Sequence, residues 1–388
     1  MNGTDPNRNQ QPVLALALGG GGARAAYQVG VLRGIARQFP HFRAPLLTGV
    51  SAGAINVAHL ANHPGEFREQ IEDLTRLWRE IDFAGVFDIH PLPLVWRMVR
   101  VGLGLSVGLP PGVEMAHSMV DASPLRAFLE RQLAVGSPRL AGIARNIASG
   151  KLQAAALTAL NYETGETVTF VEGRSIDKWE RPLRRGVSTE LTLDHVLASS
   201  ALPILFSPIE IGGEWYGDGG TRLVAPLSPA IHLGATRLLV LSTHHAGLGT
   251  SRRSKCYGPP SPAVILGALY DAVFLDQLDQ DAMQLDRING LLRRMKPEER
   301  HGLREVQNVV IRPSADLGAL ANEFEADLPR TFRHLMRRFG SQETKEQDLI
   351  STLMFHREYI AQLLELGERD AALHFDAIAW LLADEAGG

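Results

Sequence analysis

Cysteine is almost absent. Cys256 is the only one among 388 residues, so no intrachain disulfide can form, which fits a reducing compartment. Long hydrophobic runs are also missing, and nothing approaches the ~18 uninterrupted apolar residues that a membrane-spanning helix needs. The first residues, Met1-Asn2-Gly3-Thr4-Asp5-Pro6 through Gln11-Pro12, are polar and have no apolar core, so residues 1–12 read as a disordered leader and not as a signal peptide. Positive charge is not in excess either: 39 Lys and Arg stand against 43 Asp and Glu, a formal net charge of -4. That excludes a general nucleic-acid binder, which would carry a basic face. Local basic groups such as Arg181, Arg184 and Arg185, or Arg293, Arg294 and Lys296, read as solvated faces. These absences point to a cytoplasmic protein.

What the chain has in quantity is ordinary globular composition, 45% apolar and 21% charged, with 38 glycines. Val13 to Leu18 reads as a buried strand that runs into Gly19-Gly20-Gly21-Gly22 and then into a helix from Ala25. Leu46 to Val50 is a second such strand, turning through Ser51 into a small-residue helix that stops near His63-Pro64-Gly65. Residues 66–82 show the spacing of an amphipathic helix. Another helix starts at Asp121-Ala122-Ser123-Pro124. Ala154 to Ala159 and Thr167 to Val171 flank a hairpin turn, and Glu214-Trp215-Tyr216 leads into Gly217-Asp218-Gly219-Gly220. Thr236 to Ser242 and Val306 to Ile311 are further buried strands, with helix between them and beyond Pro313. Alternating strands and helices predict a three-layer α/β/α sheet with a mainly helical C-terminal portion, and a boundary near residue 315.

Three features carry chemistry. Gly49-Val50-Ser51-Ala52-Gly53 is the G-x-S-x-G pattern of a nucleophile elbow, in which the serine hydroxyl projects from a strand-to-helix corner and the glycines remove clashes. The loop Gly19–Gly22 offers backbone N–H groups unobstructed by side chains, suited to an anion or oxyanion. Asp218, between glycines, is a candidate base. Serine needs a base to lose its proton, and acyl transfer needs donors for the oxyanion, so the three together make a complete acyl-transfer set.

The set resembles the patatin-like phospholipase family over roughly residues 13–245. Gly20-Gly21-Gly22-Ala23-Arg24-Ala25 is similar to that family's G-G-G-x-R-[GA] loop, Gly49 to Gly53 to its elbow, and Asp218-Gly219-Gly220 to its D-G-[GA] motif. Ala25 stands where glycine is commoner, a tolerable change because alanine is still small. Ala198 to Pro203 and the Thr164-Gly165-Glu166 hairpin add to the likeness. The resemblance implies a patatin-like acyl hydrolase domain over 13–315 with a helical extension over 316–388. It implies a Ser51–Asp218 catalytic dyad, an acyl-enzyme, and an oxyanion hole from Gly20, Gly21 and Gly22. Arg24, Gly49, Gly53 and Gly219 would support the site, no cofactor or metal is implied, and the substrate would be a lipid acyl ester. Residues 91–113, charged only at Arg97 and Arg100, are expected to line an acyl pocket or to touch a membrane surface, which would make the protein peripherally membrane-associated; an ordinary core segment is the alternative reading.

Other readings compete. Gly20 to Ala25 also fits a dinucleotide fingerprint, but Gln38 to Val50 lacks the required acidic residue, and no Gly-Lys-Ser/Thr of a P-loop follows. His244 and His245 follow a strand and keep a Ser-His-Asp triad open. A non-catalytic lipid-binding protein on the same fold also stays open. His59 and His63 lack a third ligand and are expected to cap their helix. Asp276, Asp279 and Asp281 read as a solvated helix face, and Arg24 as a brace for loop carbonyls.

Overall fold

The computed structural model describes residues 12–88, 121–174, 179–203, 205–245, 277–329, 333 and 347–383. Residues 1–11, the 91–113 segment, Cys256 and Asp276 lie outside them. The elements are β1 (Leu14–Leu18), α1 (Ala25–Gln38), β2 (Leu46–Val50), α2 (Ala52–Asn62), α3 (Phe67–Glu80), α4 (Phe83–Val86), α5 (Ser123–Leu133) and α6 (Ala141–Ala148). Then come β3 (Ala154–Asn161), β4 (Thr167–Gly173), β5 (Glu180–Arg181), β6 (Arg184–Ser188), α7 (Leu193–Ser199), β7 (Ile209–Ile211) and β8 (Glu214–Asp218). The remainder is α8 (Ser228–His232), β9 (Arg237–Leu241), α9 (Gln277–Leu292), β10 (Gln307–Ile311), α10 (Leu317–Asn322), α11 (Gln347–Leu353), α12 (Arg357–Leu373) and α13 (Phe375–Leu382).

Among the described residues the strands form one sheet in the order β10-β9-β1-β2-β3-β4-β6-β5, with β8 also paired to β3 and β7 to β8. From β10 to β3 every pairing is parallel, and the β3–β4 hairpin turns the sheet mixed. Parallel strands covered on both faces need apolar residues at every position, which is why β1 reads Leu-Ala-Leu-Ala-Leu and is buried throughout. Its side chains alternate between faces. Leu14, Leu16 and Leu18 join one core with α1, α2, α3 and α12, whereas Ala15 and Ala17 join a second with α8 and α9. A leucine as fully buried as Leu16 contributes about 1.5–3 kcal/mol. The result is the expected α/β/α three-layer arrangement.

The helices beyond residue 315 share the first core through Ile350, Leu353, Tyr359, Leu363 and Ile378. α12 crosses α1 with the backbones in contact: a Cβ at Gly30 would run into the Leu364 carbonyl, and one at Gly367 into the Tyr27 carbonyl. Tyr27 Oη donates to Asp370 Oδ2 at 2.9 Å across the same crossing, and Arg37 pairs with Glu368.

Candidate active site

The parallel register sets Leu18 beside Gly49 and Leu18 beside Leu241, so the glycine loop, the serine turn and the end of β9 emerge together at one sheet edge. Ser51 has φ 55° and ψ -132°, a left-handed conformation that costs a non-glycine residue roughly 1–3 kcal/mol. Two hydroxyls at the C-terminal end of α7 hold it there, one of them tied in turn to β3. The Ser51 N–H donates to Ser199 Oγ at 3.0 Å, Ser199 Oγ donates to the Thr158 carbonyl at 2.6 Å, and Ser200 Oγ donates to the Ser51 carbonyl at 3.0 Å. A Cβ at Gly53 would lie 2.5 Å from the carbonyl oxygens of Leu18 and Gly19, so only glycine lets α2 start this close to β1.

Asp218 reaches Ser51 because β8 pairs antiparallel with β3, Ala159 opposite Asp218. Ser51 Oγ donates directly to Asp218 Oδ2 at 2.6 Å, while Asp218 Oδ1 accepts the Gly220 N–H at 2.8 Å. The carboxyl is fully buried. Burial pushes its pKa up to about 7, against the lowering effect of the Ser51 and Gly220 hydrogen bonds. A Cβ at Gly219 would run into the Thr158 carbonyl.

Gly20 packs on Ser51: a Cβ there would lie 3.0 Å from Ser51 Cβ. Gly21 and Gly22 have φ of 142° and 55°. Among the described residues the N–H groups of Gly20, Gly21 and Gly22 have no protein acceptor. Donors left free beside a serine can receive a negatively charged oxygen. Arg24 is buried, with Nε donating to Ser351 Oγ at 2.6 Å. An apolar cavity opens beside Ser51, lined by Ile55, Trp78, Leu125, Leu202, Phe206 and Phe355 among others.

Several side groups sit differently from the sequence reading. His59 and His63 do not cap α2 with their rings. They tie it to α3, His59 Nε2 contacting the Gln70 carbonyl at 3.1 Å and His63 Nε2 contacting Asp73 Oδ2 at 3.0 Å. Burial holds His59 down to about 4, so the ring is neutral. Asp279 and Asp281 are not a solvated face: Asp279 pairs with His244 at 3.2 Å and Arg312 at 2.7 Å, and Asp281 accepts the Leu227 N–H at 2.9 Å. His245 Nδ1 contacts the Pro313 carbonyl at 2.7 Å. Among the described residues no three His, Cys, Asp or Glu side chains are grouped to hold a metal ion, and no helix is long and apolar enough to cross a membrane.

Thr158, Ser199 and Ser200, which hold the Ser51 turn, carry no local pattern that points to that role, although Ser199 and Ser200 fall within the Ala198 to Pro203 stretch. Gln28 and Asn56 bond each other, and their sequence signal is a polar residue set between bulky neighbours, Tyr27 and Val29 around one and Ile55 and Val57 around the other.

A family model described as patatin-like phospholipase matches residues 16–231. No curated protein matches the chain. Among solved structures, human GIVD cytosolic phospholipase A2 in complex with methyl gamma-linolenyl fluorophosphonate is similar at 15% identity and TM-score 0.45, covering 96% of this chain. The chain spans 59% of that protein's length. VipD from Legionella pneumophila is similar at 12% identity and TM-score 0.37, over 92% of this chain and 67% of its own. ExoU in its complex with SpcU from Pseudomonas aeruginosa matches at 15% identity and TM-score 0.29, over 95% and 76% of the two chains.

Proposed function

The chain belongs to the patatin-like phospholipase family, and from that premise we propose that it hydrolyses fatty-acyl esters of lipids with Ser51 as nucleophile and Asp218 as base. One observation carries this reading: the 2.6 Å hydrogen bond from Ser51 Oγ to a buried carboxyl whose pKa is pushed up to about 7. An ordinary carboxylate is too weak a base for a hydroxyl, and burial narrows that gap while leaving the ionised form available near neutrality.

Ser51 Oγ attacks the ester carbonyl carbon as its proton passes to Asp218. The carbonyl oxygen becomes an oxyanion facing the N–H groups of Gly20, Gly21 and Gly22, beside the N-terminus of α2, whose dipole also favours negative charge. Collapse breaks the bond to the alcohol, which leaves with the proton from Asp218, and the acyl group stays on Ser51. A water then gives its proton to Asp218 and attacks the acyl carbon; as the bond to Ser51 Oγ breaks, Asp218 returns the proton to that oxygen, the fatty acid is released and the serine is restored. The apolar cavity of Trp78, Phe206 and Phe355 supports an acyl chain as the group bound, since each methylene removed from water is worth about 0.8 kcal/mol. The direct serine-to-aspartate bond favours a dyad over a triad through His244 or His245.

Ser51→Ala should abolish release of p-nitrophenol from p-nitrophenyl butyrate while the circular dichroism spectrum is unchanged. Turnover near the wild-type rate by the folded variant would end this reading. A wild-type protein with no turnover would leave the non-catalytic lipid-binding alternative.

A further inference from the structure

The glycine loop is held from behind by two side chains that the mechanism above does not use. Thr243 Oγ1 donates to the Gly20 carbonyl at 2.6 Å, and Gln28 Nε2 donates to the Gly19 carbonyl at 2.8 Å and to the Leu241 carbonyl at 3.2 Å. Both side chains are buried, Gln28 wholly so. Because a trans peptide is planar, its C=O and the following N–H point in opposite directions. Fixing the Gly19 and Gly20 carbonyls toward the core therefore aims the N–H groups of Gly20 and Gly21 the other way. Those are two of the amides without a protein acceptor among the described residues.

The orientation of the Gln28 amide is fixed by its neighbours. Trp78 Nε1 can only donate, and it does so to Asn56 Oδ1 at 2.7 Å. Asn56 must then offer its Nδ2, which donates to Gln28 Oε1 at 3.0 Å. Gln28 is left with its Nε2 facing the loop carbonyls. The chain Trp78, Asn56, Gln28 thus has one direction, and a flipped amide anywhere in it would set donor against donor. Thr243 arrives by another route, two residues past β9, and lies outside the segment 16–231 that the family model matches.

We propose that Thr243 and Gln28 are positioning residues for the oxyanion loop, holding the Gly20 and Gly19 carbonyls so that the Gly21 and Gly20 amides face the ester oxygen. The inference rests on the acyl-hydrolase reading. A hydrogen bond made only as the oxyanion forms affects kcat more than KM. Removing a donor outright costs on the order of 100- to 1000-fold in kcat. Loosening its support should cost less, roughly 10- to 100-fold.

The test uses the full chain with p-nitrophenyl butyrate. Thr243→Val keeps the shape and removes the donor; Thr243→Ser keeps the donor. The Val variant should lose roughly 10- to 100-fold in kcat with KM changed less than about threefold, and the Ser variant should stay within about threefold of wild type. Gln28→Met removes the other donor from a different element, and the same kcat loss is expected there if Thr243→Val does not fold. A folded Thr243→Val or Gln28→Met variant with wild-type kcat would overturn the proposal. So would equal losses in the Val and Ser variants, which would mark packing as the cause. Turnover that survives Ser51→Ala would instead defeat the catalytic reading underneath, and the two failures are separate.

Discussion

Asp218→Asn should make the protein inactive and, above neutrality, more stable. The carboxyl's ordinary pKa of 3.8 rises to about 7 in the fold, chiefly through burial. A group whose folded pKa is raised stabilises the fold fully below its unfolded pKa, and that contribution is lost as pH rises through the folded value. The gap between 3.8 and about 7 corresponds to about 4 kcal/mol at high pH. Asparagine carries no charge at any pH and can still accept the Gly220 N–H. At pH 8 the variant should resist urea better than wild type by up to about 4 kcal/mol, and the advantage should shrink to nothing below about pH 4. In the wild type the base must be ionised to take the serine proton, so kcat/KM for a short soluble ester should rise with pH to a plateau above about 8. At pH 6 it should be roughly a tenth of that plateau. Urea denaturation at a series of pH values, with ester hydrolysis followed by chromatography of the acid, measures both. Parallel stability curves for the two proteins between pH 4 and 8, or a rate flat from pH 5.5 to 8, would refute the reasoning.

His244→Ala and His245→Ala made together should keep most of the hydrolytic activity, because their rings engage Asp279 and the Pro313 carbonyl while Ser51 bonds Asp218 directly. A loss of several orders of magnitude in a folded protein would favour a triad. Gly22→Ala should sharply lower kcat and the thermal midpoint together: the added methyl would run into the Thr352 carbonyl at a φ of 55°. A variant with wild-type rate and melting temperature would show that the loop has slack there.

The strands were legible because burial on both faces writes itself as uninterrupted apolar runs, as in Leu14–Leu18 and Leu46–Val50. The serine corner was legible because the tight turn demands glycine at 49 and 53. The nearness of Asp218 to Ser51 has no local signature. It depends on β8 pairing with β3, which brings together two residues 167 apart in sequence, and only the likeness of the Asp-Gly-Gly motif to a known family suggested it. His59, Asp279 and Asp281 were misjudged for the same reason. Their partners Gln70, Arg312 and Leu227 come from other elements, and a charged residue at a helical position looks solvated until the neighbouring element is in place. Thr243 and Ser199 were invisible because a single hydroxyl at the end of a strand or helix is compositionally unremarkable.

The position of the C-terminal helices bears on how the glycine loop keeps its shape. Three successive glycines cost more conformational entropy to order than any other tripeptide, so the loop's geometry must be imposed by what surrounds it. Thr243 and Gln28 supply the back. The remaining side comes from residues 347–355: Ser351 accepts from Arg24, the Thr352 backbone lies where a Gly22 side chain would be, and Phe355 closes the cavity beside Ser51. That segment is anchored in turn by α12, whose Leu363 and Leu364 are fully buried and whose Gly367 lies against the backbone of α1, the helix that begins where the glycine loop ends. Displacing α12 would therefore move α1 and the loop together, because at Gly30 and Gly367 no side chain stands between the two backbones to absorb the shift. In this chain the helices beyond residue 315 are part of the wall that shapes the glycine loop and the cavity beside Ser51.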